Sequence, residues 1–161
     1  MTLAVFASAL VGGFIGTMVL TTMARGASEL GWTRMDLAFL LGTMMTDRRR
    51  RAKALGYALL FVFGVAFALI YAAFFLAMGR SGWWLGALFG ALHALFVSTV
   101  VVNVLLPAVH PRIGTPETAA NEVALIEPPG FLMLNYGRST FLITLVAHIA
   151  YGIIVGLAVR I

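Results

Sequence analysis

The stretch that decides the fold is Ala54–Met78, which reads ALGYALLFVFGVAFALIYAAFFLAM and contains no charged residue. A helix needs about 20 consecutive apolar residues to cross the hydrocarbon core of a bilayer. In lipid the backbone must satisfy its own hydrogen bonds, so a segment that spans the core is helical. The stretch therefore predicts a transmembrane helix.

Three more apolar stretches accompany it, over residues 3–23, 83–106 and 141–159, and none contains Asp, Glu, Lys or Arg. The chain is 61% hydrophobic and 11% charged, whereas soluble domains are roughly half apolar and a quarter charged. We predict a single all-α transmembrane domain over residues 1–161, an antiparallel four-helix bundle with short interfacial helices in its cytoplasmic loops. The first stretch lacks the basic start of a signal peptide and is too long for one, so we interpret it as a retained helix.

The basic residues predict the orientation of the helices. Segments 24–53 and 107–140 hold nine of the eleven Lys and Arg residues, and Arg80 and Arg160 are the other two. Short cytoplasmic loops carry an excess of Lys and Arg, so both segments are predicted to be cytoplasmic and both termini non-cytoplasmic. No basic domain indicates a nucleic-acid partner. Anionic lipid headgroups are the expected partners of Arg48, Arg49, Arg50, Arg51 and Lys53.

The two cytoplasmic segments also show helix signals. Thr33 and Asp36 resemble a capping box ahead of an amphipathic helix over residues 37–45, which we expect in the headgroup region. A second helix is predicted over residues 115–126, because its Thr-Pro-Glu start supplies a cap, a first-turn proline and an acid near the positive end of the dipole. The apolar residues 131–134 are expected to dip into the membrane interface.

Glycines recur at the four-residue spacing that allows membrane helices to approach closely. We interpret them first as packing positions between helices of one bundle. The alternative is an interface with a partner membrane subunit or with a second copy of the chain. The motif Gly-x-x-x-Gly occurs at Gly12 and Gly16, at Gly86 and Gly90, and at Gly152 and Gly156.

Two histidines lie near the middle of the membrane. His93 is about ten residues into its stretch and His148 about eight, counted from opposite sides, which places both roughly 12–15 Å deep at 1.5 Å per residue. Their expected role is hydrogen bonding to polar neighbours such as Thr144 and Tyr151. One alternative is axial ligation of haem b or a chlorin, which would lie on the glycine-cleared faces, the helix faces where glycines leave space beside the histidines. The other alternative is a proton or ion pathway.

Further polar side chains within the spans predict a small cavity that opens towards the cytoplasm. Charged residues within the spans are typical of ion-coupled transporters, and their absence from this sequence disfavours that class. The sequence contains no cysteine, no G-x-S-x-G, no H-E-x-x-H and no P-loop, so neither a catalytic nor a metal site is predicted. The residues expected to line the cavity are Thr17, Thr21, Thr22, Asn103 and Thr144.

The last stretch includes AHIAYGIIVG over residues 147–156, and the first includes GTM at 16–18 and TM at 22–23. In these residues the chain resembles small bacterial four-helix membrane proteins of unknown function, which often end in H-x-x-Y-G-x-x-x-G. The resemblance covers the first and last spans. It implies four helices in a bacterial inner membrane, and it implies no activity.

Three functions are compatible with these patterns. Small size, little mass outside the membrane and several glycine faces favour a non-enzymatic accessory or assembly subunit of a larger membrane complex or homo-oligomer. The second hypothesis is a haem- or chlorin-binding protein that uses His93, His148 and Tyr151. The third is a carrier or channel for a small neutral or lipidic molecule, which would pass through the threonine-lined cavity.

Overall fold

The computed structural model describes residues 1–113 and 126–161 and is all-helical in its regular structure. Four helical stretches are long and apolar enough to cross a membrane, so the predicted membrane fold is confirmed. The helix predicted over 115–126 falls mainly on residues 114–125, outside those that the structure describes. The spanning stretches are α1 (Leu3–Glu29), α3 (Arg49–Met78), Trp83–Val109 and α6 (Thr140–Ala158).

The third spanning stretch changes its helical type along its length. It begins as α4 (Trp83–Phe96), widens into a π-helix over Val97–Leu105 and closes with α5 (Leu106–Val109). The Asn103 amide donates to the Ser98 carbonyl at 2.9 Å and to the Thr99 carbonyl at 3.1 Å. Both carbonyls belong to the same π-helix, about one turn before Asn103. Asn103 therefore stabilises its own helix.

Helix α6 lies between α1 and α4, and α1 in turn packs along α3. The α4–α6 contact is very close, because a Cβ atom added at Gly86 or Gly90 would overlap a backbone carbonyl of α6. Helices α3 and α4 instead meet through large rings. The rings that fill this gap belong to Phe67, Tyr71, Phe74, Phe75, Phe89 and His93.

The bundle has two ends of different construction. The turn side carries residues 79–82 and both termini, and its turn uses Gly79 and Gly82 at φ values of 63° and 139°, which other residues rarely adopt. The loop side carries residues 30–48 and the described residues between α5 and α6, which are 110–113 and 126–139. A buried apolar cluster there includes Leu40, Leu106 and Met133.

The short helix α2 (Leu37–Gly42) packs on the start of α3. The two backbones nearly touch, since a Cβ added at Gly42 or Gly56 would overlap a carbonyl of the other helix. Asp36 caps α2 by accepting from the Phe39 amide at 3.0 Å. The predicted capping box was therefore wrong, because Asp36 itself is the cap and the Thr33 side chain bonds elsewhere.

Residues 131–136 form a 3₁₀ segment that begins after Gly130. Leu132 and Met133 inside it have left-handed φ values of 53° and 57°, which cost free energy for residues with a Cβ. Met133 is 1% exposed, while Phe131 is 68% exposed. The unusual backbone thus turns one apolar side chain into the protein and leaves another on the surface.

Candidate functional site

The two histidines predicted to lie near the middle of the membrane meet inside the bundle. Their ring centroids are 4.8 Å apart and their planes are nearly perpendicular, at 83°. His93 Nδ1 lies 3.2 Å from the Tyr71 hydroxyl. His148 Nδ1 donates to the Thr144 carbonyl at 2.8 Å. The equal depth expected from the sequence therefore corresponds to side chains in direct contact.

Two tyrosines complete this histidine–tyrosine cluster. The Tyr151 hydroxyl donates to the Gly64 carbonyl at 2.5 Å, and its ring lies 5.8 Å from that of Tyr71. Both tyrosines are almost fully buried. Sequence reasoning missed Tyr71, although a tyrosine well inside an apolar span needs a hydrogen-bond partner and so indicates a polar neighbour.

The cluster does not fit a haem or a chlorin. Aromatic rings in direct contact have centroids about 4.5–7 Å apart, so the two imidazoles at 4.8 Å leave no room for a macrocycle between them. The glycine-cleared faces are also filled, because Gly86 lies against Gly152 and Gly90 lies against the backbone of His148. The space beside His148 measures about 40 Å³, far less than a macrocycle requires.

The five residues expected to line one cavity do not come together. Thr17 is buried and donates to the Gly13 carbonyl at 2.7 Å. Thr22 is exposed and donates to the Met18 carbonyl at 2.7 Å, and Asn103 bonds within its own helix. The remaining two, Thr21 and Thr144, line two different cavities.

The first of these, the interfacial cavity, measures about 90 Å³ and lies between α1, α3 and the start of α2. Its apolar wall includes Leu20, Leu37 and Leu60. Four charged residues line it as two ion pairs. Arg25 pairs with Glu29 at 2.8 Å, and Lys53 pairs with Asp36 at 2.7 Å. Tyr57 also lines the cavity.

The second, the His148 cavity, measures about 40 Å³ and lies deeper in the bundle. Its wall is almost entirely apolar and includes Val97, Ile143 and Ala147 besides the histidine. Met133 lies at its loop-side end, together with Thr33 and Thr140, whose hydroxyl groups are 2.7 Å apart. The two cavities share a wall made of Leu20, Ala24, Met35 and Leu37.

A set of hydrogen bonds, the loop clasp, joins the two loop-side segments beside the His148 cavity and includes the Thr33–Thr140 contact. The Arg34 amide donates to the Tyr136 carbonyl at 2.8 Å, and its guanidinium bonds to the Asn135 carbonyl and lies 3.5 Å from the Glu127 carboxylate. The Tyr136 hydroxyl donates to the Glu127 carbonyl. Burial, reinforced by the Glu127 charge, raises the pKa of Tyr136, so its hydroxyl remains a donor at neutral pH.

The third histidine, His110, is buried on the loop side with both ring nitrogens bonded. Its Nδ1 accepts from the Arg112 amide at 3.1 Å, and its Nε2 donates to the Leu40 carbonyl at 3.0 Å. His110 therefore fastens α2 to the end of α5. Arg48, Arg49, Arg50 and Arg51 are exposed around the start of α3.

Among residues 1–113 and 126–161, no group of three or more His, Asp or Glu side chains is arranged to hold a metal ion. Within these described residues, the two adjoining cavities and the buried His148, which lines the deeper one, are candidates for binding. Comparison with protein-family models, with curated proteins and with solved structures finds no match to this chain.

Proposed function

We propose that this integral membrane protein is a binding or carrier protein for a slender, lipid-like amphiphile, which it holds in the interfacial cavity. The observation that carries the proposal is the composition of that cavity, where an apolar wall between two spanning helices meets a charged rim. Binding sites for small molecules commonly combine an apolar lining with a few placed polar groups.

The rim indicates what kind of headgroup would fit. Arg25 and Lys53 each pair with an acid of the same rim, Glu29 and Asp36, so the rim carries no net formal charge. A free phosphate or carboxylate would have to compete with those acids. A neutral polar or zwitterionic headgroup can instead bond to both signs of charge and to the hydroxyl of Tyr57.

The accessory-subunit hypothesis has less support, because the glycine faces are already occupied. A Cβ added at Gly12 would lie 2.8 Å from the Ala158 Cβ, and one added at Gly16 would lie 2.8 Å from the Tyr151 ring. Gly86, Gly90 and Gly152 pack in the α4–α6 contact. Gly156 likewise lies against Gly82 and Gly86. These glycines pack the bundle internally, so they offer no surface to a partner subunit.

We further propose that the loop side is cytoplasmic and that the membrane is a bacterial inner membrane. The excess of Lys and Arg in the two loop-side segments supports this orientation. The exposed run Arg48–Arg51 would then face the anionic cytoplasmic leaflet. The interfacial cavity would lie just inside that leaflet, where an amphiphile has its headgroup at the surface and its chain in the core.

The proposal is tested by identifying what the purified protein retains. The protein is extracted from its own membrane in mild detergent, washed extensively and denatured, and the released molecules are analysed by mass spectrometry. Two variants of α1 are treated in the same way. Ala24→Leu enlarges a side chain in the wall shared by both cavities and so reduces the space inside them. Ala7→Leu adds the same atoms on an exposed face of the same helix.

We expect wild type and Ala7→Leu to retain the same amphiphile in stoichiometric amount, and Ala24→Leu to lose it while remaining folded. Equal retention by Ala24→Leu would place the molecule outside the cavity. A protein that releases only traces of mixed bulk lipid would contradict the proposal as a whole.

A further inference from the structure

We propose that His148 is the hydrogen-bond acceptor of a second site, which takes small apolar molecules that carry a hydroxyl group. The site is the His148 cavity. It differs from the interfacial cavity in depth, polarity and ligand class, and its role does not depend on whether the interfacial cavity binds an amphiphile.

The tautomer of His148 follows from its partner. A carbonyl oxygen can only accept, so the Nδ1 atom that lies 2.8 Å from the Thr144 carbonyl carries the proton. The ring is 5% exposed within the bundle, and an unpaired charge at this depth is costly, so the imidazole is neutral. In a neutral imidazole with a proton on Nδ1, the other nitrogen, Nε2, is an acceptor.

This Nε2 atom has no partner among the described residues, since the one hydrogen bond that the ring makes there is through Nδ1. Every fully buried side-chain nitrogen or oxygen of those residues has a hydrogen-bond partner. Because Nε2 has none, it is not fully buried and borders open space. His148 lines the cavity enclosed by Val97, Ile143 and Met133. An unpaired acceptor on a residue that lines a nearly apolar cavity is a recognition element for a donor.

The size and lining of the cavity narrow the ligand class. A volume of about 40 Å³ accommodates roughly three water-sized spheres at about 10–15 Å³ each. A buried water makes about three hydrogen bonds, and the wall provides few polar groups besides Nε2 and the side chain of Thr144. A hydroxyl group on a slender apolar body requires one strong acceptor and otherwise makes apolar contacts.

The loop-side end of the cavity indicates how such a molecule is retained. Met133 lines the cavity, and the left-handed backbone at Leu132 and Met133 sets the direction of its side chain. The Thr33–Thr140 hydrogen bond closes the same end. Backbone strain of this kind is concentrated at ligand clamps and other functional sites.

The test uses ¹⁵N-histidine-labelled protein in lipid nanodiscs, with His148→Gln to assign the resonances. The probes are ethanol and dimethyl ether, which are isomers small enough for the cavity, and only the alcohol can donate a hydrogen bond. We expect a His148 ring that is protonated at Nδ1 and unprotonated at Nε2. We also expect ethanol to shift the Nε2 resonance in a saturable way, and the ether to leave it unchanged.

Two variants locate the effect. Val97→Ile adds a methylene to the cavity wall and should weaken the ethanol response, whereas Val100→Ile adds it on the exposed side of the same helix and should not. A protonated Nε2, the same shift with both isomers, or an Nε2 insensitive to ethanol, as in a site that holds only water, would each overturn the proposal. Each of these results can be obtained whatever the retained-amphiphile experiment shows.

Discussion

In the turn-side half of the bundle, α4 and α6 approach so closely that Gly86 and Gly152 leave no room for a Cβ atom. In the loop-side half, α6 and the π-helix that continues α4 are separated enough for Val97 and Ile143 to border a cavity. The contrast arises from side-chain size, because glycines allow backbones to touch whereas branched residues hold them apart. The cavity therefore lies where branched side chains separate the helices and the loop-side segments cover the gap between them.

The largest effect is expected from breaking the close contact. Gly152→Val places side-chain atoms against the backbone of α4 and should destabilise the protein by about 3 kcal/mol through overpacking. Gly26→Val is the matched control, since nothing lies within 4 Å of a Cβ added there, and it should change stability by at most about 0.5 kcal/mol.

Denaturation of both glycine variants by a strong detergent in a mild-detergent background measures the difference. If Gly152→Val and Gly26→Val unfold at the same detergent fraction, the α4–α6 contact is not as close as described.

A smaller effect, confined to the loop side, is expected from opening the loop clasp. Thr33→Val removes the hydroxyl that contacts Thr140 and accepts from the Met35 amide at 3.1 Å. Leaving buried polar groups unpaired should cost about 1–2 kcal/mol. Hydrogen exchange of residues 131–137 should accelerate while that of α4 stays unchanged.

The matched control for the clasp variant is Thr99→Val, because the Thr99 hydroxyl donates to the Leu95 carbonyl of its own helix. It should leave exchange in residues 131–137 as in wild type. Acceleration throughout the bundle in Thr33→Val would show that the two halves do not open separately.

The smallest effect is expected in the histidine–tyrosine cluster. Tyr151→Phe removes the hydrogen bond to the Gly64 carbonyl and keeps the ring in place. Side-chain hydrogen bonds between membrane helices contribute about 0.6 kcal/mol on average, so a small shift of the unfolding midpoint is predicted. A loss of stability as large as that of Gly152→Val would mean that this hydrogen bond, and not close packing, stabilises the bundle.

The spans and the depth of the histidines could be predicted because hydropathy and rise per residue are local quantities. The rotation of each helix about its axis was not predictable from spacing. Gly86 and Gly90 leave a face of α4 beside His93 without side chains, but the backbone of α6 occupies that space. Only the three-dimensional arrangement shows that the glycines admit a neighbouring helix and not a cofactor.

The predicted threonine-lined cavity failed for a related reason. A threonine in a helix can bond to a carbonyl one turn earlier, as Thr17 and Thr22 do, so its presence does not indicate a polar cavity. The loop clasp was also invisible in the sequence, because Thr33 and Thr140 are 107 residues apart. Each residue carries no local signal of the other.

Photo-crosslinking in native membranes tests most directly whether the loop-side half holds a specific amphiphile. A diazirine-bearing leucine analogue is placed at Leu60, which lines the interfacial cavity, and in a second variant at Val62, which is 61% exposed at nearly the same depth. We predict that one molecular species dominates the adducts at Leu60, whereas the general lipid mixture is captured at Val62. The same mixture at both positions would show that the interfacial cavity holds no specific amphiphile.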